Sequence, residues 1–294
     1  MDRITAQLTS QLSRVTLRGR PRPSSVVRRA REVPPTLVAV AHGSRDPAAL
    51  RTVTALLARV RALRPGLPVH LGHIELNAPL LGDTLATLRG EAVLVPLLLA
   101  PGHHVKHDLP AAAAAARHLS VRIAAPLGPH PLLADALYER LAEAGWDGAA
   151  RAGSGVVLAA AGSRDPDSAV GTARTAALLS ARLGGVPVLP GYASATGPGA
   201  PSVAEAVRAL ADHGRRRIAV ARCFTAPGLF AGRCAAAAPG AVSAPLGDHP
   251  AMARLILHRY EQALALAPVP LPASHPVPRP SSTSLSHPAA TVGV

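Results

Sequence analysis

Short apolar runs alternate along the chain with longer segments in which apolar and polar residues recur at helical spacing. Apolar runs such as Leu37–Ala41 do not alternate with polar residues as a half-exposed strand would. Continuous apolar runs are typical of strands buried on both faces of a parallel sheet. The segment from Asp46 to about Arg64 has Pro47 in its first turn, which is typical of a helix. For the first half the pattern predicts strands at 37–41, 69–76, 92–99 and 121–125, and helices at 46–64, 79–88, 109–118 and 131–144.

The second half of the chain repeats the first at an offset of 119 residues. Residues 37–47 read LVAVAHGSRDP and residues 156–166 read VVLAAAGSRDP, and APLGPHP at 125–131 returns as APLGDHP at 244–250. A repeat of this length implies two copies of one fold unit. Strands are therefore predicted again near 156–160, 186–190, 217–223 and 241–244. We predict an α/β protein of two tandem doubly wound domains, each with a four-stranded parallel sheet flanked by helices.

Composition separates this repeated body from two flanking segments. Residues 1–35 form a basic leader and residues 267–294 a tail rich in proline and serine, and both compositions predict disorder. Between them we place the first domain at 36–145, a linker at 146–155 and the second domain at 156–266. The 294 residues are sufficient for two domains of ordinary size.

The formal net charge of +14 does not by itself predict a nucleic-acid partner. Eight of the arginines lie in residues 1–35, and the chain has neither an RNA-binding aromatic signature nor a helix-turn-helix pattern. No apolar stretch approaches the roughly 20 residues of a membrane span, and the N-terminus lacks a secretory apolar core. We expect a cytoplasmic protein without nucleic-acid or membrane partners. Cys223 and Cys234 are too few for a disulfide framework or a four-thiolate cluster.

The two halves differ at histidines. The replacements are Ala161 for His42, Leu229 for His103 and Phe230 for His104. Glycines and prolines, which shape the backbone, are shared, whereas imidazoles, which carry chemistry near neutral pH, are lost. We therefore predict one working half and one degenerate half.

Three polar residues of the first half are predicted to meet at one rim. If the strand order is 2-1-3-4, His42 follows the first strand, Glu75 closes the second and His104 follows the third. Ligands of such sheets bind at the carboxyl ends of the strands, where the strand order reverses. The two histidines would then flank the binding crevice.

Neutral imidazole is a ligand for divalent ions such as Fe²⁺, Co²⁺, Ni²⁺ and Zn²⁺. Two protein ligands leave several coordination positions open, so an ion held by His42 and His104 could be passed to another molecule. Histidine also titrates near neutral pH and can accept protons. A carboxylate such as Glu75 could bind substrate or help to remove a proton.

Neighbouring polar residues have structural interpretations. Asp108 precedes Leu109 and Pro110 and is predicted to cap a helix N-terminus, and Asp46 or Ser44 is predicted to do the same earlier in the chain. Arg45 is expected to pair locally, with contact to an acidic substrate as the secondary alternative. Lys106 is expected in solvent, with contact to a carboxylate as the alternative. His103 and His107 are expected as solvated loop histidines.

Three motifs in order resemble those of a known family. AHGSRDP follows the first strand, IELNAP the second, and PLLLAPGHHVKHDLP spans the third and its loop. Over about residues 36–266 the chain resembles the sirohydrochlorin chelatases, which are class II chelatases, in their long form with two fused chelatase-like halves. The resemblance implies ATP-independent insertion of Fe²⁺, or alternatively Co²⁺, into sirohydrochlorin for sirohaem or cobalamin synthesis, which is a lyase reaction.

The resemblance also implies roles for individual residues. His42 and His104 would bind the metal ion, and His42 with Glu75 would accept the pyrrolic protons. The positions implied to contact the tetrapyrrole are Glu75, Leu99, Ala100, Pro101, Gly102 and His103. The cysteine-rich tail of some long relatives is absent from this sequence, so no iron–sulfur cluster is expected. Because two halves are fused in one chain, a monomer is expected to suffice.

Two interpretations from another class stay open. The chain could bind and deliver metal ions without inserting them, or it could bind a tetrapyrrole without catalysis. A cleft that accommodates a macrocycle, with His42 and His104 facing each other, favours the enzyme. A closed or narrow cleft favours the carrier.

Overall fold

Strands and helices alternate in the computed structural model, which describes residues 34–147, 152–194, 200–236 and 240–266. The first half comprises β1 Thr36–Ala41, α1 Pro47–Leu63, β2 Val69–His73, α2 Leu81–Thr87, β3 Gly90–Pro96, a π-helical turn His104–Asp108, α3 Leu109–Ala115, β4 Leu119–Ile123 and α4 Pro131–Glu143. The second half comprises β5 Ser154–Ala160, α5 Pro166–Arg182, β6 Val188–Tyr192, α6 Val203–Asp212, β7 Arg217–Arg222, α7 Leu229–Ala236 and α8 Pro250–Ala265. The predicted tail, residues 1–33 of the predicted leader and residues 148–151 of the predicted linker lie outside the described residues.

Two parallel sheets form the framework, and their topology confirms the predicted fold class. The first has the order β2-β1-β3-β4 and the second the order β6-β5-β7. In the first sheet Leu37 pairs with Val69 and Ala41 pairs with His73, so β1 and β2 end side by side. The strand order assumed from the sequence is therefore confirmed, and with it the switch point between β1 and β3.

Strand β1 is buried on both faces, as its continuous apolar sequence predicts. Leu37, Ala39 and Ala41 face a large core cluster that contains residues of both halves. Val38 and Val40 face a smaller cluster shared with α2 and α3. One face of the first sheet thus contributes to a core common to both halves.

Among the described residues, the second sheet has three strands and not the four that the repeat predicts. Within the described residues 240–266, the segment of the expected strand forms an isolated bridge between Val220 and Val242. The N–H of Val220 donates to Ala241 and the N–H of Ser243 donates to Val220, but the next donor, the N–H of Arg222, bonds to the hydroxyl of Ser243. Because a side chain takes the place of the backbone acceptor, the ladder stops after one bridge.

Helices of each half pack on the other half, α1 against α8 and α4 against α5. Arg140 of α4 donates to the carbonyl oxygen of Leu246 at 2.9 Å. Arg259 of α8 donates in the same way to the carbonyl oxygen of Leu127 at 3.3 Å. The repeat relates the two arginines and also the two acceptors, so the halves exchange equivalent contacts across a pseudo-twofold relation.

The first helix of each half starts with the predicted aspartate cap. Asp46 accepts a hydrogen bond from the N–H of Ala48 at 2.8 Å, and its counterpart Asp165 accepts one from the N–H of Asp167 at 3.0 Å. Each carboxylate satisfies an otherwise free donor at the first turn of its helix. Among the described residues, no helix combines the length and the apolar character that crossing a membrane requires.

Candidate active site

A wide cleft lies at the carboxyl ends of the strands, with walls from both halves. Its volume is about 1670 Å³, above the 300–1,000 Å³ usual for small-molecule pockets. The segments that line it are 41–46, 97–104, 160–166 and 223–231. Two of these belong to the first half and two to the second, so the cleft is common to both.

His42 follows β1 directly, and the backbone turns sharply behind it. Gly43 has φ +108°, and a Cβ atom there would lie 1.9 Å from the carbonyl oxygen of Glu75. Only glycine fits such a conformation beside such a neighbour. The N–H of Glu75 donates to the carbonyl oxygen of His42 at 3.0 Å, which ties the ends of β1 and β2 together.

Glu75 reaches the rim from a turn and not, as predicted, from a strand extending to Leu76. Strand β2 ends at His73, and Leu76 adopts φ +66°, which reverses the chain. The Glu75 side chain is 52% exposed, and its Oε1 atom lies 3.5 Å from Nδ1 of His42. The carboxylate is therefore accessible from the cleft and adjacent to the imidazole.

His104 approaches His42 from the loop that follows β3. The centroids of the two imidazole rings are 4.8 Å apart, and the rings are nearly perpendicular, at 85°. Strand β3 ends at Pro96 and not at the predicted Leu99, which leaves an irregular loop of residues 97–103 along the cleft. The structure thus brings together the two histidines that the sequence analysis placed at one rim.

Asp108 does not cap the following helix, so that prediction is wrong. It has helical backbone angles and makes no capping hydrogen bond, because the chain is already wound into the π-helical turn His104–Asp108. Its Oδ2 atom lies 2.5 Å from Nδ1 of His104. A carboxylate on one ring nitrogen fixes the orientation of the ring and leaves Nε2 free. The spacing of four residues between His104 and Asp108 was the signal for this pair.

His103 and His107 stack against each other beside this pair, with ring centroids 4.6 Å apart. The His103 side chain is 72% exposed. Leu99, Ala100, Pro101 and Gly102, the other predicted contact residues of the loop, line the cleft together with both histidines.

Lys106 is not free in solvent. Its Nζ atom contacts carboxylate oxygens of Asp165 at 2.8 Å and Asp167 at 2.7 Å, at the start of α5 in the second half. This neighbourhood of carboxylates raises the pKa of Lys106, and the hydrogen bond from Lys106 lowers the pKa of Asp165. These ion pairs link the loop that carries His103, His104 and His107 to the second half.

Arg45 does not pair locally as expected. Within the described part of the chain it has no ion-pair partner, and its exposed side chain lines the cleft. Its counterpart Arg164 also lines the cleft and is exposed. One exposed guanidinium from each half, without an ion-pair partner among the described residues, thus faces the same space.

The second half keeps the backbone shape of the site without its two imidazoles and its carboxylate. Gly162 has φ +89°, and the N–H of Ser194 donates to the carbonyl oxygen of Ala161 at 3.1 Å, as Glu75 does to His42. The positions of the three rim residues of the first half are taken by Ala161 for His42, Ser194 for Glu75 and Phe230 for His104. The second half therefore has side chains that do not titrate at the rim positions that carry the two imidazoles and the carboxylate in the first half.

The site offers two imidazoles for a metal ion and no closed cage. Within the described ranges, no group of three or more histidine, cysteine, aspartate or glutamate side chains is arranged to hold a metal ion. Burial raises the pKa of Cys223 to about 12 and that of Cys234 to about 11, and among the described residues neither thiol belongs to such a group. Together these features define a class of two-half α/β proteins with a histidine pair at the rim of an open cleft.

The chain belongs to the CbiX family. The family model matches residues 36–144 and matches again over residues 155–263. The chain is 29% identical over 123 residues to a sirohydrochlorin cobaltochelatase of Methanococcoides burtonii, a match that covers 36% of this chain and 94% of that protein. It is 32% identical over 168 residues to a sirohydrochlorin ferrochelatase of Bacillus subtilis, covering 54% of this chain and 63% of that protein.

Solved structures share the fold. SirB from Bacillus subtilis with Fe³⁺ superposes with a TM-score of 0.62 at 22% identity, over 78% of this chain and 95% of that one. CbiX described as the terminal enzyme of sirohaem biosynthesis in denitrifying bacteria superposes with a TM-score of 0.60 at 25% identity, over 79% of this chain and all of that one. The recognition of the family from three sequence motifs is therefore confirmed.

Proposed function

We propose that this protein is a sirohydrochlorin chelatase that inserts a divalent metal ion into the macrocycle without ATP. The observation that carries the proposal is the contact of His42 and His104, whose ring centroids lie 4.8 Å apart in an open cleft. Membership of the CbiX family and relatives named sirohydrochlorin cobaltochelatase and ferrochelatase support it. Fe²⁺ is our first choice of metal and Co²⁺ the alternative, since imidazole binds both.

The two imidazoles would hold the metal ion as a substrate. Asp108 engages Nδ1 of His104, and Nδ1 of His42 lies near Glu75 and the carbonyl oxygen of Gly43, so Nε2 is the available ligand atom of each ring. Two protein ligands leave the other coordination positions to water. Pyrrolic nitrogens can replace these waters one at a time, which allows the ion to leave the protein.

Insertion also releases two pyrrolic protons, and His42 with Glu75 would accept them. The two side chains are 3.5 Å apart, close enough to share a proton after a small movement. Once the ion has begun to move to the macrocycle, the freed imidazole of His42 becomes a base. A positioned base of this kind typically accelerates proton transfer by about 10²- to 10⁴-fold.

The cleft walls would orient the macrocycle. The loop from Leu99 to His103 lies along the wall next to the metal site, and we propose that it contacts the tetrapyrrole. Sirohydrochlorin is a polycarboxylate, and the exposed guanidinium groups of Arg45 and Arg164 fit its acidic substituents. Because each comes from one half, a single macrocycle would contact both halves.

We propose that one chain is sufficient for activity and that no iron–sulfur cluster takes part.

Anaerobic spectrophotometry tests this function. Purified protein is mixed with sirohydrochlorin and either Fe²⁺ or Co²⁺, and the spectral change to the metallated macrocycle is followed. We expect acceleration over the protein-free control, loss of that acceleration in His42→Ala and His104→Ala, and a reduced rate in Glu75→Gln. His70→Ala, which changes an exposed histidine of β2 away from the cleft, is the matched control. Because His42 and His104 are partly exposed, both variants should remain folded.

The same experiment separates the alternatives. Metal binding without acceleration would identify a delivery protein. Pigment binding that survives loss of both histidines, again without acceleration, would identify a tetrapyrrole-binding protein. Equal activity of His42→Ala and wild type would overturn the assignment of the site.

A further inference from the structure

Two large apolar side chains are exposed inside the cleft. Leu229 is 67% exposed and Phe230 is 41% exposed, and both lie at the start of α7. They occupy the positions that His103 and His104 occupy in the first half. Phenylalanine is rare in this chain, with two in 294 residues. An exposed aromatic residue in a concave site is a feature of ligand-binding surfaces.

The loop that carries this pair lies against the turn that carries the metal site. A Cβ atom on Gly228 would lie 3.4 Å from Oγ of Ser44, two residues after His42. The equivalent contact of the other half joins Gly102 to Ser163, at 3.6 Å. Each loop therefore packs on the turn of the opposite half. The apolar pair and the histidine pair belong to the same cleft and are related by the pseudo-twofold.

The polar groups of the cleft do not surround the apolar pair evenly. His42, Glu75 and His104 come from the first half, while the corresponding second-half positions are Ala161, Ser194 and Phe230. The imidazole positions thus carry a methyl group and an aromatic ring. A ligand in the cleft therefore meets titratable groups at the first-half rim positions and Ala161, Ser194 and Phe230 at the equivalent second-half positions.

We propose that Leu229 and Phe230 form a docking face for the conjugated macrocycle, which leaves the opposite face of the ring for the metal ion. This inference rests on the proposed function and assigns a substrate-positioning role to the degenerate half. A conjugated tetrapyrrole has apolar faces and an acidic edge, so it matches a cleft that presents an exposed aromatic ring together with the guanidinium groups of Arg45 and Arg164. In the second half, the side chains that replace the histidines would then bind the macrocycle and not the metal ion.

The test compares metal binding, macrocycle binding and turnover in the full chain. The variants are Phe230→Ala and Leu229→Ala, Phe230→Leu as the conservative replacement, and Leu63→Ala as the matched control, since Leu63 is 50% exposed and lies outside the cleft. Metal-free sirohydrochlorin is titrated by its fluorescence, and Co²⁺ is titrated separately by equilibrium dialysis.

We expect Phe230→Ala to weaken sirohydrochlorin binding by roughly tenfold, in line with aromatic stacking, while Co²⁺ binding is unchanged. In turnover, KM for sirohydrochlorin should rise more than kcat falls. Phe230→Leu should retain part of the affinity, and Leu63→Ala should behave as wild type. Because Phe230 is partly exposed, loss of the ring should not unfold the protein.

Two outcomes overturn the docking face and one overturns the function. Unchanged sirohydrochlorin affinity in both Phe230→Ala and Leu229→Ala would refute the proposed docking face, even if the wild-type protein inserts metal. Equal losses of Co²⁺ and sirohydrochlorin affinity would show a general disturbance of the cleft and also sink it. Wild type that binds sirohydrochlorin but inserts neither ion refutes the chelatase, and the affinities of the variants then decide the docking face alone.

Discussion

The Nζ atom of Lys106 lies 2.8 Å from a carboxylate oxygen of Asp165, and this contact joins the loop of the metal-site histidines to the first turn of α5 in the other half. A second oxygen, from Asp167, lies 2.7 Å from the same nitrogen. Lys106 stands between His104 and His107 within the π-helical turn. The degenerate half thus holds the loop that places His104.

Replacing Lys106 tests whether this link positions the loop. We expect Lys106→Met to lower the rate of metal insertion by roughly two- to fivefold, as for the loss of an exposed ion pair, without affecting overall folding. Because salt screens exposed charges, added salt should narrow the difference between wild type and variant. Steady-state insertion rates at low and high salt measure this, with Lys106→Arg as the control that keeps the cation. A difference that stays constant with salt would argue against an electrostatic link.

Gly43 and its counterpart Gly162 allow the effect of backbone strain on stability to be distinguished from its effect on the metal site. Gly43→Ala and Gly162→Ala each place a Cβ atom in a positive-φ turn, 1.9 Å from the Glu75 carbonyl oxygen and 2.3 Å from that of Ser194 respectively. Each should lower the free energy of unfolding by about 1–3 kcal/mol or more. Only Gly43→Ala should also abolish insertion, because only that turn carries His42. Denaturant unfolding and insertion assays on both variants would check this, and equal activity losses would refute it.

The degenerate half should accept a metal site again. We expect the triple variant Ala161→His, Ser194→Glu and Phe230→His to bind one more Co²⁺ per chain than wild type, since the turn after β5 repeats the turn after β1. The new site should be the weaker one, because the position of Asp108 is taken by the buried Cys234. Equilibrium dialysis gives the stoichiometry, and Ala161→His alone serves as control. An unchanged stoichiometry would contradict the predicted equivalence of the two turns.

The histidines of the two APLG-x-HP turns should make stability depend on pH. Nδ1 of His130 accepts a hydrogen bond from the N–H of Leu132, and Nδ1 of His249 accepts one from the N–H of Ala251, so each caps a helix only while that nitrogen is unprotonated. Burial is the main cause that lowers the pKa of both below the ordinary value of 6.5. For His249 the nearby Glu139 opposes this shift.

The unfolded chain therefore binds these protons more readily than the folded protein. The free energy of unfolding should fall as the pH drops below about 6.5 towards the lower folded-state values, and it should be level above 6.5. In the double variant His130→Asn, His249→Asn, the amide oxygen can still cap each helix but does not titrate, so the slope should decrease. Urea unfolding between pH 5 and 8 measures the slope, with His70→Asn as control. A slope equal to that of wild type would disprove the role of these caps.

The sequence predicted the buried strands and the repeat because both depend on local patterns, and the rim followed once the strand order 2-1-3-4 was assumed. Continuous apolar runs identified the buried strands, and the repeat related His42 to Ala161 before any geometry was known. The contact of His42 with His104 then followed from the order β2-β1-β3-β4. What local patterns could not show were contacts made by tertiary packing.

Lys106 illustrates this limit. Its partners Asp165 and Asp167 lie in the other half, at least 59 residues away, and only the packing of the two halves brings them together. Asp108 was misassigned for a different reason. A proline soon after an aspartate is typical of a helix start, but here the chain is already wound when it reaches that residue. In the described part of the second sheet, the ladder beyond Val220 and Val242 ends where the hydroxyl of Ser243 accepts a backbone hydrogen bond, which no apolar pattern reveals.

The exchange of Arg140 and Arg259 between the halves has a consequence for cooperativity. Each arginine satisfies a carbonyl oxygen in the turn of the opposite half, and residues of both halves share one apolar core. Opening either half would strip the other of hydrogen bonds and of buried surface at once. The chain should therefore unfold in one step despite its internal duplication. A substitution that destabilises the second half should also destabilise the part of the first half that carries the histidines.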